Sequence, residues 1–233
     1  MRAPAPAKIN LALVVGPQRG DGKHEVATVL QRIDLADRVA IAPGARLSVT
    51  GFADDTIVRD ALLALAAAAS VEPLWAATIT KRIPVAAGLG GGSSDAATAL
   101  RLANETLAAP LEADDLRSLA ATLGADVPFF LGDGPQLGRG DGSMLMPLSL
   151  PQDYWIVLVL PNGAAKESTA SVYAAFDERD GGAGWEERRK RLDTALAEVR
   201  RPRDLAALPP NDLASSTLAD GGGRGRRQWG RRR

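Results

Sequence analysis

One stretch limits what this chain can become: Pro84-Val85-Ala86-Ala87-Gly88-Leu89-Gly90-Gly91-Gly92-Ser93-Ser94-Asp95. Four glycines within five positions give a backbone that no Cβ keeps away from a ligand. Ser93, Ser94 and Asp95 read as a helix start, because short polar side chains cap orphan amides there. Bare amides feeding a helix N-terminus suit a phosphate group. The same composition also suits a tight turn or a linker, so the flanks must decide. A strand-like run, Trp75 to Ile83, leads into the stretch, and a strongly periodic segment, about Ser94 to Leu107, leaves it. Ala96, Ala97, Leu100, Ala103 and Leu107 form the buried stripe of that segment.

Two well-known phosphate loops fail on residues. The P-loop needs a Lys after its glycines, and none is present. The dinucleotide fingerprint needs glycine at the sixth position, which counts from Gly88 to Ser93.

The rest of the chain reads as mixed α and β. Ala5 to Val15 alternates as a first strand, with Ile9, Leu11 and Leu13 on one face and Lys8, Asn10 and Ala12 on the other. Gly16 to Gly22, with Pro17, Gly20, Asp21 and Gly22, reads as a turn or loop. Val26 to Val49 reads as two or three short extended runs, punctuated by Asp34 to Arg38 and Ala42 to Arg46. Ile57 to Ala69 and Ala113 to Leu123 carry helical stripes, the second closed by Gly124. Phe129-Phe130-Leu131 is a short apolar run, and Gly132 to Gly142, glycine-rich again and carrying Arg139 and Asp141, is expected to end the first domain. Tyr154 to Leu160 is expected to be a buried strand, Glu167 to Phe176 and Trp185 to Arg200 helices.

Composition excludes several classes. With 45% apolar residues the 233-residue chain can bury a real core. It has no cysteine, hence no disulfide, thiol nucleophile or thiolate metal site. Without a long apolar run or a signal-peptide layout, the expectation is a soluble cytoplasmic protein with no membrane partner. The zero net charge hides an asymmetry. Gly221 to Arg233 holds six arginines and no acid, leaving 22 basic against 28 acidic residues before it. An acidic body does not suggest a nucleic-acid partner.

Four motifs stand in order: Ala7-Lys8-Ile9-Asn10-Leu11, Asp21-Gly22-Lys23-His24-Glu25, Gly88 to Ala97, and Gly124-Ala125-Asp126-Val127-Pro128. Together they resemble the GHMP kinase family, in register from Ala5 to about Asp220. Within the family they resemble the branch that phosphorylates the 2-hydroxyl of a cytidylated methylerythritol in the non-mevalonate route to isoprenoids. The resemblance implies an α+β fold in two domains: a ribosomal-S5-like half over 1–147 and an incomplete ferredoxin-like half over 148–220. It implies ATP as phosphoryl donor with Mg²⁺, a small-molecule substrate, Lys8 and Asp126 as the catalytic pair, and Pro84, Val85, Ala86, Ala87, Gly88, Leu89, Gly90, Gly91, Gly92, Ser93 and Ser94 around the ATP phosphates. Asn10, His24 and Tyr173 would contact the second substrate: His24 by hydrogen bond to cytosine, Tyr173 by stacking on it. Metal ligands are not assigned, Ser94 being one candidate. Without the resemblance, Asp126 reads as a turn aspartate, Lys8 as a strand-end lysine, His24 as a loop histidine and Tyr173 as a helix-face aromatic.

The sequence departs from the family twice. Lys23 stands where a tyrosine is usual, which weakens stacking on the cytosine. Residues 221–233, Gly/Arg-rich, replace a third glycine-rich motif, and their bias fits an out-of-frame reading of a GC-rich gene, a hypothesis that resequencing tests. Missing final strands would leave apolar faces uncovered, with low stability expected. The alternatives are another GHMP small-molecule kinase, or a catalytically impaired nucleotide-binding remnant.

Overall fold

The computed structural model describes residues 1–52, 57–159 and 169–214; the expected tail 221–233 lies outside them. In chain order the elements are strands β1 (Arg2–Gln18), β2 (His24–Pro43) and β3 (Ser48–Thr50), helix α1 (Ile57–Ala69), strand β4 (Trp75–Thr80), and helices α2 (Gly91–Asn104) and α3 (Ala113–Leu123). A short 3₁₀ turn, Pro128–Leu131, leads to strands β5 (Gln136–Arg139) and β6 (Met144–Pro147), then helices α4 (Thr169–Glu178) and α5 (Trp185–Glu198). The fold class is α+β, as expected.

The chain forms two compact units that interleave along the sequence. The first holds Met1–Ile9 and Arg32–Asp133; the second holds Asn10–Gln31 and the residues from Gly134 on. Strands β1 and β2, which pair with each other, each run through both.

In the first unit, the C-terminal part of β2 pairs antiparallel with β4, from Arg38 opposite Thr80 to Pro43 opposite Trp75. β3 adds in parallel on the other edge of β4. Helices α1 and α2 supply the apolar cover. α1 buries Val58, Ala61, Leu62, Leu65 and Ala66, the three- and four-residue spacing of one helical face. α2 is buried almost all round, and alanine at 96, 97, 99 and 103 makes that possible, because small side chains let neighbours approach its backbone. A second small core sits under the glycine loop. There Ala7, Ile83 and Leu89 are buried, with Ile9, Ile33, Leu35 and Ala87 packed against them.

In the second unit, the N-terminal part of β2 pairs antiparallel with β5 through Thr28 to Leu30, and β5 pairs with β6. Leu13, Val15, Val26 and Phe176 form its core, with Tyr173 and Leu213 alongside. Asn211 makes an isolated parallel bridge to Leu13, and Asp212 pins it by accepting the Val15 amide at 2.9 Å and an Arg188 guanidinium N–H.

Four local expectations need correction. The extended run from Val26 is not broken at Asp34 to Arg38: β2 runs on to Pro43, because the Asp37 carboxylate finds buried partners that replace water. Gly16 to Gly22 is not all turn or loop, since β1 runs on to Gln18. The helix after the glycine loop begins at Gly91, not at Ser94. Gly90 takes the cap position with φ 68°, and no side chain caps it. Tyr154 to Leu160 does not form a buried strand over its described part. Tyr154 is buried and makes a single β-bridge, but Trp155 is 56% exposed, Val157 81% and Val159 82%, and no extended strand forms there among the described residues. Apolar, β-branched composition favours a strand only where a neighbouring strand accepts its amides. Leu160 and Glu167 lie outside the described residues.

Candidate active site

The glycine loop, Lys8 and Asp126 come together in the first unit. The loop leaves β4 through Ile83 and Pro84 and turns by positive φ at Ala86 (61°), Gly88 (72°) and Gly90 (68°). It is strapped to β1 by the Lys8 amide, which donates to the Leu89 carbonyl at 2.9 Å. Gly90 is obligatory twice over. Its φ suits glycine, and a Cβ there would stand 2.9 Å from Lys8 Cγ and 3.0 Å from Phe130 Cζ. The bare glycine is therefore the floor on which the Lys8 stem lies.

The Lys8 side chain, only 10% exposed, puts its ammonium 3.5 Å from the carboxylate of Asp126, whose side chain is 42% exposed. Asp126 sits in a turn closed by the Val127 amide donating to the Gly124 carbonyl. The 3₁₀ turn that follows is braced by Arg32, which donates to the carbonyls of Phe129 and Gly132. A buried cation and a half-open carboxylate thus face the same space beside a glycine-floored loop.

The loop feeds the N-terminus of α2, whose first amides have no intrahelical acceptor. Ser94 Oγ is buried there and has no hydrogen-bond partner among the described residues. A buried hydroxyl without a partner costs free energy unless something binds it. Its place in the first turn of α2 suits a phosphate oxygen or a phosphate-bound cation. No cluster of three or more acidic or histidine side chains able to hold a metal occurs among the described residues.

The remaining expected residues lie in the second unit. His24 is buried; its Nε2 is 2.8 Å from an Asp177 carboxylate oxygen. Its ring stacks on Tyr173 at 4.7 Å with planes 27° apart, and meets Phe176 edge-on at 6.0 Å. No base fits between His24 and Tyr173 at that separation, so a base stacked on Tyr173 takes its other face. Asn10 Nδ2 donates to Thr28 Oγ1 at 2.6 Å, and that hydroxyl donates to the Ala12 carbonyl. Lys23 points to Asp141 at 2.6 Å. That hydrogen bond, then those from Ser143, hold the Asp141 pKa down to about 2.

Sequence reasoning missed two charged residues of the loop. Lys81 and Asp37 stand in its foundation, joined to Asp95. Lys81 lies just upstream of Pro84 and could have drawn notice, whereas nothing in the sequence marks Asp37 among its neighbours.

The GHMP kinases N terminal domain matches residues 56–134. The 4-diphosphocytidyl-2-C-methyl-D-erythritol kinase of Salinispora arenicola is 39% identical over 94% of this chain and 72% of its own length. That of Geobacter sulfurreducens is 40% identical over 92% of this chain and 76% of its own. This chain belongs to that kinase family, a branch of the GHMP kinases. A crystal structure of 4-(cytidine 5'-diphospho)-2C-methyl-D-erythritol kinase superposes with a TM-score of 0.68 at 35% identity, over 91% of this chain and 75% of the other. The two-domain GHMP kinase architecture expected from the motifs is therefore the fold of this family member. The match to the N-terminal domain covers the glycine loop, α2 and Asp126.

Proposed function

We infer that this chain transfers the γ-phosphoryl group of ATP to the 2-hydroxyl of 4-diphosphocytidyl-2-C-methyl-D-erythritol. The observation that carries the reading is the Lys8–Asp126 pair at 3.5 Å, set against Gly90 of the loop in a chain of this family.

Phosphoryl transfer needs positioning and charge stabilisation more than covalent help from the protein. The amides of the loop and of the first turn of α2 would hold the phosphates, with the helix field favouring their charge. Asp126 would accept the proton of the attacking hydroxyl as its oxygen bonds to the γ-phosphorus and the bond to ADP breaks. Lys8 would hold that hydroxyl oxygen and turn it toward the phosphorus. Mg²⁺, when bound, neutralises charge on the phosphate oxygens, and the buried Ser94 hydroxyl fits such a contact. In the second unit, Tyr173 would offer an aromatic face to the cytosine, His24 a ring nitrogen and Asn10 an amide. The division of the sequence into a first domain over 1–147 and a second over 148–220 is part of this proposal; Asn10–Gln31, early in that first stretch, belong to the second compact unit.

The test is ATP-dependent phosphorylation of the cytidylated alcohol by the full chain and by Asp126→Ala. Loss of a general base lowers turnover by about 10²–10⁴-fold, with ATP binding retained. Equal turnover in both proteins would remove the base assignment, and no turnover in the parent chain would remove the reading.

A further inference from the structure

Lys81 takes no part in the chemistry above, yet it is the hub of the loop's foundation. Its Nζ lies 2.5 Å from Asp37 Oδ2 and 2.7 Å from Asp95 Oδ2, and both carboxylates are wholly buried. Asp37 Oδ1 accepts the amides of Arg82 and of Ile83, the latter at 2.8 Å, so it grips the chain where the loop begins. Asp95 stands in the opening turns of α2, where the loop ends. A Cβ on Gly91 would lie 3.3 Å from Lys81 Nζ, so the ammonium reaches the first residue of that helix. The ring of Phe52 lies 5.5 Å away. One cation thus ties the two ends of the loop to each other.

Charge matters as much as geometry. Two buried carboxylates beside a helix N-terminus oppose the field that would attract phosphate. Leaving either without a counterion in a poorly solvated site is expensive. Lys81 cancels one of the two charges. Burial pulls its pKa down, but the hydrogen bonds and charges of Asp37 and Asp95 together outweigh that and raise it above the ordinary lysine value.

We propose that Lys81 is a positioning residue for the nucleotide: it fixes both ends of the phosphate loop and offsets the buried acids beneath it, and so sets the affinity for ATP. The proposal rests on the ATP-loop reading given above. A lysine that only supported folding would alter melting and both substrates alike.

Calorimetric titration of MgATP into the full chain, Lys81→Met and Lys81→Met/Asp95→Asn separates these roles. Lys81→Met weakens ATP binding on the order of tenfold, equivalent to about 1.4 kcal/mol. The double variant, with one negative charge fewer but the tie still lost, recovers the share of that loss that charge causes and binds ATP between the single variant and the parent. The KM for the alcohol substrate moves by less than roughly twofold in either. Unchanged ATP affinity in Lys81→Met, or an equal loss in single and double variants, overturns the proposal. Should Lys81→Met not fold, Asp95→Asn carries the test. Its amide oxygen still accepts from Lys81, so the tie to the helix and the Lys81–Asp37 pair both remain while one negative charge is gone; ATP therefore binds at least as tightly as to the parent, and weaker binding overturns the proposal. A parent chain that does not bind MgATP overturns the ATP-loop reading itself. That result is distinct from ATP binding that ignores Lys81.

Discussion

Lys81 in the first unit and Lys23 in the second make the same kind of contact and do different work. Lys81 meets Asp37 and Asp95 at 2.5 and 2.7 Å, and Lys23 meets Asp141 at 2.6 Å. The carboxylates around Lys81 are 0% exposed and its own side chain is 17% exposed; Lys23 is 61% exposed. Distance alone would rank the two clusters together. Burial separates them, because water and salt screen the outer pair while nothing replaces a lost partner in the inner one. The inner cluster shapes a loop. The outer one ties the β1–β2 turn to the turn after β5.

Asp37→Ala should break that comparison most forcefully. It strands Lys81 with one acid and frees the amides of Arg82 and Ile83. Removal of one member of a buried ion cluster costs about 3–5 kcal/mol. Urea unfolding of Asp37→Ala should show that loss at about 0.1 M and about 1 M salt alike, although the screening length differs threefold between them. A loss that fades with salt would place the cluster in solvent.

Tyr173→Ala tests a site of intermediate burial. The ring packs against the core of Leu13, Val15, Val26 and Phe176 and stacks on His24. If the face turned from His24 takes the cytosine, the KM for the cytidylated alcohol rises by the equivalent of roughly 1–3 kcal/mol, the usual worth of a base stacked on an aromatic ring. The KM for ATP stays within about twofold of the parent. A rise shared by both substrates would mark the ring as structural only.

Periodicity made the helices legible. α1 and α3 begin and end where their stripes do, at Ile57–Ala69 and Ala113–Leu123, since a helix buries one face and the sequence records which. The four motifs also placed Lys8, Gly90 and Asp126 in one reading, and the first unit assembles them. Less legible was anything decided by partners remote in sequence. Asp37 looked like a strand breaker because its three donors come from Lys81, Arg82 and Ile83. Ser93, Ser94 and Asp95 looked like caps, whereas glycine in the left-handed region took that position and freed Asp95 for Lys81. Trp155 to Val159 looked like core by composition, but composition cannot say whether a neighbouring strand stands beside it.

That last segment gives a smaller effect. Val157 is 81% exposed, so removing its apolar surface loses little burial. Val157→Ser should shift stability by no more than about 0.5 kcal/mol, as surface substitutions do. It should also reduce self-association, since exposed β-branched rows invite edge pairing. A large drop in melting temperature would show that the side chain is covered in solution. Light scattering beside the melt measures both outcomes.

Lys23→Gln should have the smallest effect, and its pH dependence identifies it. The Lys23 hydrogen bond, then those of Ser143, keep the Asp141 pKa at about 2, below its ordinary 3.8. A depressed carboxylate adds stability above its unfolded pKa and loses it as pH falls through the folded one. The Lys23 pKa is raised, first by its hydrogen bond to Asp141 and then by that residue's charge. Its share is therefore present below the ordinary lysine value of 10.5 and lost as pH rises through the folded value. The difference in melting temperature between parent and Lys23→Gln should thus be small and flat from about pH 5 to pH 9. It should shrink toward pH 2 as Asp141 takes its proton, and vanish in about 1 M salt, where the screening length falls to about 3 Å. A difference that survives both acid and salt would mean that Lys23 acts through the packing of its stem, and the contrast with Lys81 would then lie in shape rather than in charge.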